Sequence, residues 1–313
     1  MRRMISVAAA QLGPISRDDS RASVIARLLH HMRSAHAKGC ELVVFPELAL
    51  TTFFPRWIIE DEDELDSYCE SEMPSPDTEQ LFDEAKKLGI GFYLGYGEID
   101  RAEGRKRRFN TAILVDGNGR IIHKYRKIHL PGRAEPDPNY AIQHLEKKYF
   151  EVGDLGFTAV RAFGGVLGTC ICNDRRWAET YRVLALRGAE MVVLGYNTPT
   201  RSFWEEHENP LSDFHNRLSM QAGAYQNCMW VVGVAKAGIE DGAGLIGGSC
   251  IVAPTGEIVA QCTTREDELI TADCDLDLAA GLKQNLLNFE VNRQIDAYRP
   301  ITEQAGITPP PEE

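Results

Sequence analysis

Two segments of the chain share one pattern, in which a helix end is followed by a glycine, an acidic residue and an apolar run. Residues 35–47 read AHAKGCELVVFPE, and residues 184–196 read LALRGAEMVVLGY. Any two joins between a helix and a buried strand can look alike, and taken alone this is the simpler explanation. The pattern nevertheless fits a fold made of two similar α–β halves that pack sheet against sheet.

Helical and extended patterns alternate along the rest of the chain. The clearest predicted strands are Met4–Gln11, Leu42–Phe45, Ile90–Tyr96, Val166–Ile171, Met191–Leu194 and Trp230–Ala235. The clearest predicted helices are Asp18–Lys38, Thr78–Leu88, Glu179–Arg187, Leu211–Gln226 and Leu278–Leu287. Near-continuous apolar strands that alternate with helices favour the α/β class. No linker interrupts the middle of the chain, so residues 1–313 are predicted to form a single domain.

The balance of charges limits the partners that the chain can bind. Hydrophobic residues make up 43% and charged residues 26% of the chain, and the net charge is -12. Nucleic acids and anionic membranes require a basic surface, so neither partner is expected. A small anionic substrate is still compatible with this charge, because two arginines can dominate inside a pocket. The acidic stretch Glu60–Glu72 is expected to be a solvated face or loop.

The cysteines and the lack of targeting patterns indicate the compartment. The apolar run near the N-terminus is too short for a secretory signal, and no stretch reaches the roughly 20 apolar residues that span a bilayer. The eight cysteines lack metal-type pairing with histidines; they are Cys40, Cys69, Cys170, Cys172, Cys228, Cys250, Cys262 and Cys274. They are interpreted as free thiols, mostly in the core, and a cytoplasmic location is expected.

Cys172 lies where an apolar strand gives way to the polar segment 173–176, which reads NDRR. Ligands bind at the ends of strands in α/β sheets. Cations and a helix N-terminus nearby would lower the pKa of the thiol and make the sulfur a better nucleophile. Taken alone, the more common explanation is that Cys172 is the last core residue of its strand.

Two further segments carry a candidate base and a candidate cation. Glu47 follows the apolar run Val43–Phe45, and burial there would raise its pKa and suit it to general base catalysis. A surface charge at the strand end is an equally good interpretation. Lys127 lies in the basic segment 123–132, which is most simply an exposed face. An inward-pointing Lys127 would instead stabilise an oxyanion.

The three segments together are more specific than any one of them. They read FPE at Phe45–Glu47, YRKIHLPG at Tyr125–Gly132 and CNDRRW at Cys172–Trp177. In order and spacing they resemble the nitrilase-like carbon–nitrogen hydrolase superfamily. The resemblance covers most of the chain, from residue 6 to about residue 275.

This resemblance implies both a fold and a set of catalytic residues. The implied fold is a four-layer αββα sandwich. The implied triad is Glu47, Lys127 and Cys172. Many members also have a second active-site glutamate, which matches Glu146 in the segment HLEKKYF. The alternative for Glu146 is an exposed charge in a charged loop.

Longer motifs resemble one group within the superfamily, the N-carbamoyl-D-amino acid amidohydrolases. They are PELALTTFFPRW at Pro46–Trp57, CNDRRW, GYNTPT at Gly195–Thr200 and SMQAG at Ser219–Gly223. The resemblance implies hydrolysis of a ureido group to a D-amino acid, ammonia and carbon dioxide. The chain departs from this group at residues 136–143 and 201–209, which leaves the preferred substrate side chain open.

A substrate with a carboxylate gives the polar residues near these motifs a function. Arg175 and Arg176 follow the nucleophile, and a guanidinium can hold a carboxylate through two parallel hydrogen bonds. An ordinary salt bridge at a helix start is the alternative for either arginine. Further residues expected to line the pocket are Asn173, Asn197, Thr198, His129, His144 and His215. Isolated histidines are more often structural, and that alternative stays open for all three.

The implied mechanism needs no cofactor. Glu47 takes the thiol proton, Cys172 attacks the ureido carbon, and Lys127 stabilises the oxyanion. Water activated by Glu47 or Glu146 then resolves the thioester-type intermediate. The sequence has no metal-ligand spacing and no phosphate-binding glycine loop, so neither a metal nor a cofactor is expected. The expected assembly is a homodimer or homotetramer, with the tail from about residue 289 packed on a partner subunit.

Other functions also fit this sequence. Another nitrilase-superfamily amidase, a nitrilase or a β-ureidopropionase-like hydrolase would use the same three residues. A non-catalytic scaffold that binds a small molecule would keep the fold without the chemistry. The presence of all three chemical residues argues against such a scaffold.

Overall fold

The computed structural model describes residues 3–201 and 209–311 and is built on two large β-sheets. The strands are β1 Met4–Gln11, β2 Leu42–Val44, β3 Cys69–Glu70, β4 Gly91–Asp100, β5 Arg107–Val115, β6 Ile121–Arg126, β7 Ala159–Ala162, β8 Gly165–Ile171, β9 Met191–Tyr196, β10 Trp230–Ala235, β11 Ala237–Glu240, β12 Ala243–Ile246, β13 Cys250–Val252, β14 Ile258–Gln261 and β15 Glu268–Asp275. The helices are α1 Arg21–Ala37, α2 Glu62–Ser67, α3 Glu79–Leu88, α4 Glu146–Tyr149, α5 Ala178–Leu186, α6 Ser212–Asn227, α7 Ala280–Gln284, α8 Phe289–Asn292 and α9 Pro300–Glu303.

The strand order places the two halves of the chain in separate sheets. The first sheet has the order β15-β1-β2-β4-β5-β6, with β3 paired to β4. The second sheet has the order β14-β13-β10-β9-β8-β7, and β11 and β12 form a separate hairpin. In both sheets the central strands run parallel, as β1, β2 and β4 do in the first and β8, β9 and β10 in the second.

Alternate residues of the central strands face different layers, as the two-residue period of a strand requires. In β1, Ile5 and Val7 lie in a core shared with the second sheet, whereas Ala8 and Ala10 pack toward α1 and α3. Helices α5 and α6 cover the other side of the second sheet. Each fully buried valine or isoleucine contributes about 1.5–3 kcal/mol, so this shared core is a main source of stability. The predicted αββα sandwich is confirmed.

The repeated sequence pattern forms the centre of each sheet. It joins α1 to β2 in the first half and α5 to β9 in the second. Gly39 and Gly188 follow the two helices with φ values of +81° and +88°, which glycine adopts without steric cost. The amides of Glu41 and Glu190 each donate to a carbonyl of the neighbouring strand at 2.8 Å. The prediction of two similar α–β halves is therefore confirmed.

Some element boundaries differ from the prediction for local reasons. Helix α1 begins at Arg21 because Ser20, rather than the preceding aspartates, caps it and accepts a hydrogen bond from Ser23 N at 3.1 Å. The acidic stretch 60–72 is not a simple loop, since Asp61 caps α2 and β3 pairs with β4. Strands β7, β11 and β12 were not predicted, and they are only four residues long.

The helices after β15 are short and lie on the surface. The helix predicted over 278–287 is reduced to the five residues of α7. In the tail that follows, Val291, Ile295 and Ile301 are 70%, 70% and 58% exposed. Across residues 3–201 and 209–311, no helix combines the length and the apolar character needed to cross a membrane.

Candidate active site

Glu47 follows β2 and is fully buried between the two sheets. Its backbone passes close to Gly95 of β4 and Gly195 of β9, one glycine from each sheet. A Cβ at Gly195 would lie 2.2 Å from Glu47 N, and a Cβ at Gly95 would lie 2.7 Å from Glu47 Cα. Side chains at these two positions would occupy the space that the Glu47 backbone fills, so the close approach requires glycine.

Lys127 follows β6, is fully buried and points inward. Its Nζ donates to Glu47 Oε1 at 2.7 Å and to Glu146 Oε2 at 2.6 Å. Burial by itself would lower the pKa of Lys127, but Cys172 and the two glutamates outweigh it and raise that pKa. The exposed basic face considered for this segment therefore does not include Lys127.

Glu146 begins α4 and is fully buried, so it is not an exposed loop charge. Its Oε1 lies 3.2 Å from His144 Nε2, and the His144 ring meets Phe53 edge-on at 5.5 Å between centroids. Burial would raise the pKa of Glu146, but Lys127 and His144 outweigh it and lower that pKa. The structure thus brings Glu146 and His144 to the same cluster as Lys127.

Asn110 joins this cluster, although the sequence analysis did not identify it. It lies in β5 and is fully buried. Its Nδ2 donates to Glu47 Oε1 at 2.8 Å and to Glu146 Oε2 at 3.2 Å. The signal that could have found it is an amide between Phe109 and the apolar residues 112–115 of this strand.

Asn197, which was expected to line a substrate pocket, contacts Glu47, and its carbonyl oxygen lies 4.0 Å from Cys172 Sγ. Its backbone amide donates to Glu47 Oε2 at 3.0 Å. Its Nδ2 donates to the Glu47 carbonyl oxygen at 2.8 Å and to Oε2 at 3.2 Å. Together with Lys127 and Asn110, it gives each carboxylate oxygen of Glu47 two donors, and so fixes the orientation of Glu47.

Cys172 follows β8 and starts a 3₁₀ turn over Cys172–Arg176. It has a φ of +48°, a strained conformation for a residue with a side chain, and it is 5% exposed. Burial and the nearby Glu47 raise the pKa of the thiol to about 11, although Lys127 and Arg175 oppose them. The expectation of a lowered pKa is wrong, because burial outweighs the cations. The thiol is therefore neutral at pH 7.

Arg175 is buried and holds the turn that carries the nucleophile. Its Nη1 donates to the Cys172 carbonyl oxygen at 2.6 Å, and its Nη2 donates to Thr198 Oγ1 at 2.7 Å. Its Nε donates to Asn216 Oδ1 at 2.9 Å, and the guanidinium lies 4.4 Å from the centroid of the Tyr196 ring. Thr198 is thus a partner of Arg175, and Asn216 is a second residue that the sequence analysis missed.

Arg176 differs from its neighbour. Its side chain is exposed, and within the described part of the chain no carboxylate forms an ion pair with it. Desolvation by the protein atoms around it and repulsion from Arg175 lower the pKa of Arg176 to about 10. It remains a cation at pH 7, and an anion would be a favourable partner for it.

The remaining residues that were predicted to line the pocket either form hydrogen bonds within the protein or lie on its surface. Asn173 Nδ2 donates to the His129 carbonyl oxygen at 3.1 Å. His129 Nδ1 lies 2.8 Å from Asp174 Oδ1, and its ring stacks on Trp177 at 4.8 Å. His215 is exposed on α6 and is not brought to the cluster, because Asn216 occupies the inward face of that helix.

Among residues 3–201 and 209–311, no three His, Cys, Asp or Glu side chains are grouped to hold a metal ion.

The two segments that diverge from the N-carbamoyl-D-amino acid amidohydrolases are 136–143 and 201–209. The first precedes His144, and Gln143 N donates to the Arg56 carbonyl oxygen at 2.9 Å. The second one, 201–209, lies outside the described residues at positions 202–208.

Comparison with known proteins identifies the family of the chain. Residues 6–284 match the family model described as carbon-nitrogen hydrolase. The chain is 29% identical to an N-carbamoylputrescine amidase from Solanum tuberosum over 316 aligned residues, which cover 98% of each protein. It is 30% identical to a nitrilase from Pyrococcus abyssi, with 91% of this chain and 95% of the relative covered. A carbon-nitrogen hydrolase structure from Helicobacter pylori G27 has the same fold, with a TM-score of 0.81, 24% identity and coverage of 97% and 99%.

Proposed function

The chain belongs to the carbon–nitrogen hydrolase family and hydrolyses non-peptide C–N bonds, and from that premise we propose that its substrate is an N-carbamoyl-D-amino acid. The products are the D-amino acid, ammonia and carbon dioxide. Arg176 is the observation that carries this proposal, since it is a cation near the nucleophile without a carboxylate partner in the described residues. An N-carbamoyl amino acid brings its own carboxylate. The D configuration rests on the sequence motifs.

The first step is attack by Cys172 on the ureido carbon. Because burial and Glu47 raise the pKa of the thiol, the thiolate is a minor form at pH 7. Glu47 therefore takes the thiol proton as the S–C bond forms and the carbonyl electron pair moves onto oxygen. Protonated Glu47 then donates to the departing nitrogen, which leaves a carbonyl group bound to sulfur.

The second step is hydrolysis of this thioester-type intermediate. Water, whose proton is taken by Glu47 or Glu146, adds to the carbonyl carbon, and the C–S bond breaks as the sulfur regains a proton. The released carbamic acid then loses carbon dioxide and leaves the second amine product, either ammonia or the D-amino acid. An ammonium has three N–H groups, and Lys127 uses two of them for the glutamates, so the third can stabilise the oxyanion. Loss of one such donor typically costs about 2.7–4 kcal/mol of transition-state stabilisation.

The two arginines have different roles in this proposal. Arg175 holds the backbone of Cys172, so it positions the nucleophile. Arg176 binds the substrate carboxylate by charge-assisted hydrogen bonds, which are roughly twice as strong as neutral ones. Arg176 would repel a substrate that carries a positive charge in place of this carboxylate. That repulsion favours an anionic carbamoyl substrate over N-carbamoylputrescine, although the ureido group is the same.

Ammonia release from a matched panel tests the proposal. The panel consists of N-carbamoyl-D-phenylalanine, its L enantiomer, N-carbamoyl-β-alanine, N-carbamoylputrescine and a simple aliphatic amide. The expected result is the highest kcat/KM for the D enantiomer. Faster turnover of N-carbamoylputrescine would overturn the anionic substrate and leave the C–N hydrolase intact. Faster turnover of N-carbamoyl-β-alanine would indicate a β-ureidopropionase-like enzyme, and no ammonia from any compound would favour a binding scaffold.

A further inference from the structure

We propose that Asn110 is a positioning residue that keeps Glu47 and Glu146 ionised together, so that Glu47 is ready to accept the thiol proton. The inference rests on the proposed role of Glu47 as the base. It does not depend on which carbamoyl compound or amide is the substrate.

The geometry places Asn110 across a closed ring of four groups. Glu47 Oε1 and Glu146 Oε2 are bridged on one side by Lys127 Nζ, at 2.7 and 2.6 Å. They are bridged on the other side by Asn110 Nδ2, at 2.8 and 3.2 Å. All four side chains are fully buried, so no solvent donor can replace either bridge.

The orientation of the Asn110 amide is determined by its neighbours. In the part of the chain that the structure describes, Asn110 Oδ1 is buried and has no hydrogen-bond partner. Leaving a buried carbonyl oxygen without a donor costs about 1–3 kcal/mol. The opposite orientation would direct that oxygen at two carboxylates and would be repelled by both. The amide therefore acts here as a donor and not as an acceptor.

The charges around the ring explain why a neutral donor is needed. The two carboxylates both contact the ammonium of Lys127, and His144 contacts Glu146 from the segment before α4. The buried Lys236, which follows β10, also interacts electrostatically with Glu47. From the turn after β8, Cys172 interacts electrostatically with Lys127 and both glutamates. Two buried carboxylates at short distance tend to share one proton. The two N–H groups of Asn110 oppose this, because hydrogen bonds to the charged form of a carboxylate favour ionisation.

The consequence concerns proton transfer from the thiol. A Glu47 that already carries a proton cannot accept one from Cys172. If the Asn110 bridge is lost, the glutamate pair retains a proton to higher pH, and the reactive fraction of the enzyme falls. In Asn110→Asp the bridge becomes a third carboxylate of the same size, which strengthens the effect.

The test is the pH dependence of Cys172 alkylation by iodoacetamide, followed by mass spectrometry of the Cys172 peptide. This readout needs no substrate, so it distinguishes failure of the inference from failure of the proposed function. The variants are Asn110→Ala and Asn110→Asp. The control is Asn227→Ala: among the described residues, the buried Asn227 likewise has no partner for its Oδ1, but its Nδ2 donates only to the Gly223 carbonyl oxygen.

We expect the acidic midpoint of alkylation to rise by about one pH unit or more in both Asn110 variants, with a rate about tenfold lower at pH values below both midpoints. Asn227→Ala should keep the midpoint of the unchanged protein. Thermal melting of each variant shows whether it is folded, and Asn110→Asp preserves the side-chain volume if Asn110→Ala fails to fold. Unshifted midpoints in the folded variants would overturn the inference, even if their rates fall, because a purely structural role lowers the amount of active protein without moving a midpoint.

Discussion

Arg175 and Cys172 are joined by a 2.6 Å hydrogen bond from the guanidinium Nη1 to the Cys172 carbonyl oxygen. Cys172 has a positive φ, and backbone strain of this kind costs on the order of 1–3 kcal/mol and persists only where the surroundings enforce it. The hydrogen bond from Arg175 is one of the contacts that hold Cys172 in this strained conformation. Adjacent arginines therefore have separate effects, since one acts on the nucleophile and the other faces outward.

Arg176→Ala should weaken the binding of carboxylate substrates. A charge-assisted hydrogen bond contributes about 1.5–3 kcal/mol, so we expect KM for the carbamoyl amino acid to rise about 10- to 100-fold. The value of kcat should change much less. Steady-state kinetics on a carboxylate substrate and on an uncharged amide provide the measurement, and an equal loss on both would show that Arg176 does not bind carboxylate.

Arg175→Lys should instead lower kcat for every substrate. A lysine keeps the charge but cannot donate to Cys172, Thr198 and Asn216 together in the geometry of a guanidinium. A displaced nucleophile typically costs about 100-fold in rate. The carboxylate substrate and the uncharged amide should lose kcat to the same extent. A rise in KM restricted to the carboxylate substrate would contradict the positioning role.

Glu47→Gln should change how alkylation of Cys172 depends on pH. Without the base, reaction requires the thiolate; loss of the Glu47 charge lowers the pKa of the thiol, but burial, the larger cause, still raises it. Below that pKa the thiolate fraction rises about tenfold for each pH unit, so the rate should rise with the same slope between pH 7 and pH 9. In the wild-type protein, the alkylation rate should depend much less on pH over this range. Cys172→Ala is the control, since it should remove the labelled peptide, abolish turnover and retain the fold.

Gly195→Ala should disturb both stability and activity. Its Cβ would lie 2.2 Å from Glu47 N, where neither backbone can move without shifting a sheet. We expect a loss of about 1–3 kcal/mol or more in the free energy of unfolding, together with a roughly 100-fold lower kcat. Gly281→Ala is the matched control, because a Cβ there meets no atom within 4 Å. Equal effects of the two substitutions on denaturant unfolding and kcat would contradict the account.

Removal of residues 289–313 should alter the assembly. We propose that the chain forms a homodimer or homotetramer, with its tail packed on a partner subunit. The exposed Val291 and Ile295 would then be covered, and the truncated protein should sediment as a smaller species. Removal of residues 308–313 alone is the control and should leave the assembly unchanged. Identical sedimentation of the full chain and both truncated proteins would show that the tail does not take part in the interface.

Much of the fold and the three central residues could be predicted because their signals are local. Glu47, Lys127 and Cys172 each follow a recognisable strand, and their order and spacing form motifs. Asn110 and Asn216 lack such a signal, because each is one amide whose partners come from distant segments. In α6, successive residues are rotated by about 100°, so the sequence could not decide between His215 and Asn216 as the inward residue.

The pKa of Cys172 could not be predicted for a related reason. Adjacent cations are visible in the sequence and suggested a lower value. The burial of the sulfur and the closeness of Glu47 depend on the packing of two sheets, which no local pattern reports. The same limit applies to the arginines, because only the tertiary partners Thr198 and Asn216 show that Arg175 faces inward.

The close approach of Gly95 and Gly195 to the backbone of Glu47 has a consequence for unfolding. Many enzymes carry their catalytic residues on segments that open locally at a small free-energy cost, well below that of global unfolding. Here Glu47 cannot leave its position unless the two sheets separate, and separation exposes the core that they share. The base is thus part of the cooperative unit that unfolds last, so inactivation by denaturant should coincide with loss of the whole sandwich.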